Sequence, residues 1–256
     1  MNHSKFFYLF TIGSILFLSS CVSKKELLYF QDIKTYNNSE VIFNQNIIQE
    51  NDILKIDVTS LEIEASVPYN KPSSMGSNQN SLELLQLNGY LVTPKKIINF
   101  PILGEVYVGD KTIKDLEIYL KNHLETEGHL INPNVSVRLL NAKVTILGEV
   151  NVPGTYTFTE KNISFLQALG LAGDLTIYAN RKDVILIRES NGLRTTSNLD
   201  LTSASLLTST YQNIQPNDVI IVNPNSKKVT SAGLIGDIST VLSIASILLS
   251  TIILIK

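Results

Sequence analysis

The chain holds one cysteine, Cys21, and three histidines, His3, His123 and His129. A lone thiol excludes an intramolecular disulfide but leaves a nucleophilic sulfur for covalent modification. The residues ahead of it say which modification. Lys5 stands in a short basic start, an apolar run follows from Phe6 to Leu18, and Leu18-Ser19-Ser20-Cys21 closes the stretch. This is the layout of a secretory signal, too short to remain in a bilayer as an anchor. Its last four residues resemble a bacterial lipobox. In that motif the cysteine sulfur takes a diacylglycerol, the chain is cut before it, and the new amine is acylated. Several acyl chains, at ~0.8 kcal/mol per buried CH₂, hold a protein to a membrane where one chain does not. Val22 follows the cysteine. No aspartate stands there to mark retention at the inner membrane, so the outer membrane is the expected destination.

The histidines offer less. His3 leaves with the signal, and His123 and His129 flank the end of an expected helix with no cysteine or spaced carboxylate cluster to complete a metal site. They read as surface histidines. No G-x-x-x-x-G-K-[ST] phosphate loop occurs, and no local pattern suggests a catalytic triad. The expectation is no catalytic residue, no metal and no cofactor. Net charge is −2 and no basic block exceeds two lysines, so nothing marks a nucleic-acid partner.

Serines carry the next signal. From Ile238 to Ile255 no residue is charged, and Asp237 and Lys256 bracket the run. As a helix it spans about 27 Å, close to a hydrocarbon core. Ser239, Ser243, Ser246 and Ser250 fall within an arc of about 60° at ~100° per residue. Isoleucine, leucine and valine fill most of the remaining surface. A narrow hydroxyl stripe on an apolar helix has two uses in a membrane: contact between helices, or the lining of a water-filled lumen made by several copies.

Between these ends the chain alternates strand and helix signals. "DILKIDV" (52–58) reads as a strand opened by an Asn-Asp turn. Residues 66–81 read as a Pro/Ser/Asn loop, and Asn88-Gly89 as a hairpin turn. "IINFPILGEVYV" (97–108) is strand-like, with Pro101 confining it to an edge or a bulge. "KTIKDLEIYLKNHLE" (111–125) is a helix capped by Thr112 with Asp115 three residues on, burying Ile113, Leu116, Leu120 and Leu124. "PNVSVRLL" (133–140) and "KVTILGEV" (143–150) are strands, followed by a tight Val152-Pro153-Gly154 turn. "ISFLQALGLAGDL" (163–175) is a short helix with Gly173 as a left-handed C-cap. "DVILIRE" (183–189) and "NDVIIV" (217–222) are strands. Two phrases recur: "ILGEV" at 102–106 and 146–150, and "IQENDILKI" at 48–56 as "IQPNDVIIV" at 214–222. The fold class is therefore α+β, in two units.

These segments, with "NGYLV", "ILGEVNVPGTYTF" and the helix ending "LAGDL", resemble the Wza-type outer-membrane polysaccharide export lipoproteins, with an architecture like members from the Bacteroides group. The resemblance covers roughly 45–225, the lipobox and the terminal segment. It implies a signal peptide at 1–20, a lipidated tether at 21–46 and a polysaccharide export domain at 47–141. One soluble-ligand-binding β-grasp (SLBB-like) domain at 142–225, a linker at 226–237 and a transmembrane helix at 238–255 follow. Asn51 and Asp174 stand where the family commonly carries glycine. The repeated phrases then read as equivalent strand edges in two stacked modules of a ring wall, and a shared ancestry of the two units would explain the echo equally well.

The implied function is that of an outer-membrane translocon subunit for capsular polysaccharide or exopolysaccharide, with most of the chain in the periplasm. The partners are further copies of the chain, the polysaccharide as cargo, membrane lipid, and an inner-membrane polysaccharide co-polymerase that supplies the drive. Family members of this type form octamers. Eight helices at ~9–10 Å spacing give a ring about 25 Å across at its centre line and a lumen on the order of 15 Å. Ser239, Ser243, Ser246 and Ser250 would line it. The first alternative is a periplasmic sugar-binding accessory lipoprotein, anchored by lipid and one helix, with no pore; the second is an enzyme of glycan processing, which hydrolysis of purified polymer would reveal.

Overall fold

The computed structural model describes residues 24–36, 46–71, 82–190, 192–231, 242–247 and 250–251. The chain builds two hydrophobic cores in succession. The first begins with β1 (Ile53–Thr59), where Leu54, Ile56 and Val58 point inward and Lys55 and Asp57 occupy the other face. β1 pairs antiparallel with β2 (Tyr90–Leu91) on one side and β5 (Asn134–Leu139) on the other. Two short helices, α1 (Ile63–Ser66) and α2 (Leu82–Leu87), lie between β1 and β2 in the chain. β3 (Ile97–Phe100) and β4 (Gly104–Tyr107) make a separate hairpin.

Helix α3 (Ile113–Thr126) closes this core. Its capping box is the expected one: Asp115 N donates to Thr112 Oγ1 at 3.1 Å and Thr112 N to the Asp115 carboxylate at 3.1 Å. Leu116, Leu120 and Leu124 are fully buried, while Ile113 is half-buried at the margin.

Two local expectations need correction. Asn88-Gly89 is no hairpin turn; it links α2 to β2, with Gly89 N donating to Gln86 O at 3.1 Å. The stretch 97–108 is not one strand. Pro101 sits in the turn between β3 and β4, where Ile102 takes a left-handed φ of +67°.

The second core is built on a five-stranded sheet of order β10-β9-β12-β6-β7. β6 (Lys143–Gly148) turns antiparallel into β7 (Gly154–Thr157). β8 (Ile163–Ser164) leads into α4 (Phe165–Leu171), which a second capping box starts: Gln167 N donates to Ser164 Oγ at 3.1 Å and Ser164 N to Gln167 Oε1 at 2.7 Å. Gly173, at φ +72°, ends it as expected. β9 (Ala179–Ser190) and β10 (Leu193–Leu199) form a long hairpin. β11 (Asn213–Ile214) pairs with β8, and β12 (Val219–Pro224) lies parallel to β6 and antiparallel to β9. A mixed sheet with one main helix is the β-grasp pattern expected. The chain continues into α5 (Ser226–Ser231), so the first half of the expected linker is helical.

Three residues join β5 to β6, and the seam is tight. Leu139 packs against both cores. Asn141 bridges back across it: Ile53 N donates to Asn141 Oδ1 at 2.9 Å, and Asn141 Nδ2 donates to Asn51 O at 2.8 Å.

Candidate functional site

The seam is where the longer sequence echo meets itself. In Gln49-Glu50-Asn51-Asp52, Gln49 N donates to the Asp52 carboxylate at 2.9 Å; in Gln215-Pro216-Asn217-Asp218, Gln215 N donates to Asp218 at 2.8 Å. Asn51 and Asn217 take φ of +65° and +68°. Each turn thus uses an asparagine for the left-handed position and an aspartate to hold the amide three residues back. Gln49, Asp52, Gln215 and Pro216 all line one cavity of about 90 Å³, with Leu54 and Leu139. The aspartates differ in company. Burial pushes Asp52 up to about 6, against the pull of the Gln49 amide. Asp218 is also raised by burial, although Arg188 grips it through two bonds of 3.0 and 2.8 Å. These are structural turns.

The shorter echo does not hold. Ile102 and Leu103 belong to the β3–β4 turn and Gly104 opens β4, whereas Ile146, Leu147 and Gly148 end β6. The same five letters are therefore not equivalent strand edges.

Beside the seam lies a polar cleft of about 610 Å³, lined by Glu50, Lys96, Asp110, Glu189 and Arg194 among others. Two of its three carboxylates are paired: Asp110 with Lys96 at 3.2 Å and Glu189 with Arg194. His123 and His129 both approach Glu127, at 3.5 and 3.4 Å, beyond the end of α3. Among the described residues no three His, Cys, Asp or Glu side chains converge as metal ligands. The cleft offers polar walls.

The expected tether at 21–46 is different in kind. Its residues 24–36 form a strap docked on the second unit. Phe30 N donates to Leu201 O at 3.1 Å and Gln31 N to Thr202 O at 2.7 Å. Asp32 accepts from Ser203 Oγ at 2.9 Å and from Ala204 N at 2.6 Å, and these bonds hold its carboxyl below the usual range. The Tyr29 hydroxyl donates to Asp174, and burial raises that hydroxyl well above the ordinary tyrosine range. Arg181, buried in β9, has two N–H groups without an acceptor; its guanidinium instead lies 5.3 Å from the centre of the Tyr29 ring. Tyr29 and Phe30 pack against the second core. Sequence reading missed this strap, because its partners lie more than 140 residues away.

The polysaccharide biosynthesis/export protein family matches residues 43–140, and the SLBB domain family matches residues 142–222. The chain is a polysaccharide export protein with an SLBB domain. Both are families of export and binding proteins rather than of enzymes, and the export family is typically envelope-associated, with polysaccharide as its cargo. Asn51 and Asp174, where the resemblance led us to expect glycine, have φ of +65° and +70°. Both residue types tolerate the left-handed region.

Of the residues singled out in this export protein, Cys21 and Ser239 lie outside the described residues. Ser243 and Ser246 lie in a helical stretch over 242–247, and Ser250 and Thr251 are helical as well. Ser246 Oγ donates to Ser243 O at 2.8 Å, so that hydroxyl is satisfied within its own helix. Among the described residues no helix is long and apolar enough to cross a membrane, so the membrane-spanning helix expected at 238–255 is not among the elements observed.

Proposed function

We propose that this chain is one subunit of a ring-shaped outer-membrane conduit through which capsular polysaccharide or exopolysaccharide leaves the cell. In this reading Cys21 carries the lipid. Residues 47–141 form the export domain, 142–225 the SLBB domain, and 238–255 the wall of the pore. The observation that carries it is the helical stretch over 242–247. Leu242, Ile244 and Ile247 are 62%, 49% and 62% exposed, with Ser243 and Ser246 exposed beside them. Apolar side chains exposed along such a stretch call for lipid or copies of the chain around them. In this reading the drive comes from an inner-membrane co-polymerase. That partner meets the first unit, which lies at the opposite end of the five-stranded sheet from the chain's exit.

The test is the mass of the complex extracted in mild detergent. One dominant species of more than four copies is expected, since a head-to-tail interface closes into a ring when its rotation permits. A monomer at micromolar concentration would favour the sugar-binding accessory lipoprotein instead.

A further inference from the structure

The five-stranded sheet has two ends. One holds the start of β6, the end of β9 and the turn before β12, and meets the first unit at the seam. At the other end three loops converge: the one after β6, the one before β9, and the one after β12. They are tied together. Val152 N donates to Ala172 O at 2.9 Å, Thr176 N to Glu149 O at 3.0 Å, and Asn225 N to Tyr178 O at 2.7 Å; Lys228 pairs with Glu149. This crown presents apolar side chains where turns ordinarily carry polar ones. Val152, Ile177, Tyr178 and Val229 are 57%, 65%, 45% and 62% exposed, and Leu171 stands beside them. An exposed apolar cluster of this kind marks a contact surface.

Three observations identify the occupant. The chain leaves the crown through α5, whose last residue, Ser231, precedes the uncharged run from Ile238 by seven positions. The strap reaches the same loops, since Tyr29 bonds Asp174 there. Cys21 is eight residues upstream of Tyr29, a reach of at most about 29 Å. Both ends with membrane signals therefore converge on the crown. The charge nearby is mildly basic: Lys227 and Lys228 stand on α5, with Lys228 paired to Glu149, and Lys24 and Lys25 precede Glu26 at the start of the strap. Basic side chains around an apolar tip suit an anionic lipid surface.

We propose that the crown of the second unit is a lipid-binding surface, with Val152, Ile177 and Tyr178 entering the headgroup region of the bilayer that 238–255 enters. The inference rests on the envelope reading above. It adds that the folded domain itself, besides its two anchors, touches lipid, which fixes the sheet upright on the membrane and the first unit away from it.

The chain has no tryptophan, so an introduced one is a unique reporter. Val152→Trp and Ile177→Trp place it on the crown. Leu193→Trp places it on β10 at the opposite end, where Leu193 is 71% exposed. The full-length protein is reconstituted in phosphatidylethanolamine–phosphatidylglycerol vesicles with brominated acyl chains. Quenching of about twofold or more is expected at 152 and 177, and none at 193. Vesicle flotation separates the two layers of the account. Protein that floats but is unquenched at 152 and 177 overturns the crown contact alone. Blue-shifted but unquenched emission at those sites, in vesicles and detergent alike, assigns the crown to a neighbouring copy and also overturns it. Protein that fails to float overturns both the crown contact and the conduit.

Discussion

Gly104 and Gly148 occupy the same place in the repeated "ILGEV", and both have positive φ, +72° and +89°. Their surroundings differ. A Cβ on Gly104 would meet nothing within 4 Å, whereas a Cβ on Gly148 would overlap the carbonyl oxygen of Val222 on β12. Gly104→Ala therefore carries only the left-handed penalty of about 1–2 kcal/mol. Gly148→Ala adds a backbone clash and should cost clearly more, about 3 kcal/mol or above. Urea unfolding of the two variants checks the order; equal losses would mean that the β6–β12 contact is looser than described. Asp52 gives a second test. Its folded value near 6 lies above the ordinary carboxylate value, so the folded state holds this proton more tightly. That contribution favours folding below about pH 4, falls as the pH rises through about 6, and is lost above that. The difference is on the order of 2–3 kcal/mol. Asp52→Asn keeps the acceptor for Gln49 N and has no charge to bury. It should be more stable than the parent at pH 7 and lose that advantage by pH 4. Parallel pH profiles for the two proteins would show that Asp52 is not the source.

At the scale of elements, the strap is the feature that most changes the picture. Asp32→Ala removes the acceptor for both Ser203 Oγ and Ala204 N. The amides of Phe30 and Gln31, which donate to Leu201 and Thr202, should then exchange faster with solvent while those of β6 and β12 do not change. Unchanged exchange at 30 and 31 would mean that the aromatic contacts of Tyr29 and Phe30 hold the strap unaided. Local elements were legible in the sequence: the α3 capping box and the Gly173 C-cap are set by residues within one turn of each other. Both Asn-Asp turns were legible for the same reason. Features set by distant partners were not. "ILGEV" takes its backbone from whatever pairs with it, so one phrase can serve as a turn in one place and a strand end in the other. β10 escaped notice because "LRTTSNL" is polar and largely exposed, which hides its alternation, although Asn191-Gly192 ahead of it is a strong hairpin signal. Asn88-Gly89 carried the same signal and follows a helix instead.

At the scale of the molecule, the two units stand end to end. Through β5 and β6 only three residues separate them, and Leu139 serves both cores. The central claim is that the terminal helices of several copies enclose a water-filled lumen lined by Ser239, Ser243, Ser246 and Ser250. Thiol labelling of the assembled protein in membranes tests it most directly. Cysteines are placed singly at positions 239, 242, 243, 244, 246, 247 and 250, and a membrane-impermeant reagent is added. Cys21 does not interfere if its sulfur is held in the lipid thioether. The account predicts labelling at 239, 243, 246 and 250, and protection at 242, 244 and 247. Protection of all four serine positions in an intact assembly would contradict it and make the stripe a dry contact between helices.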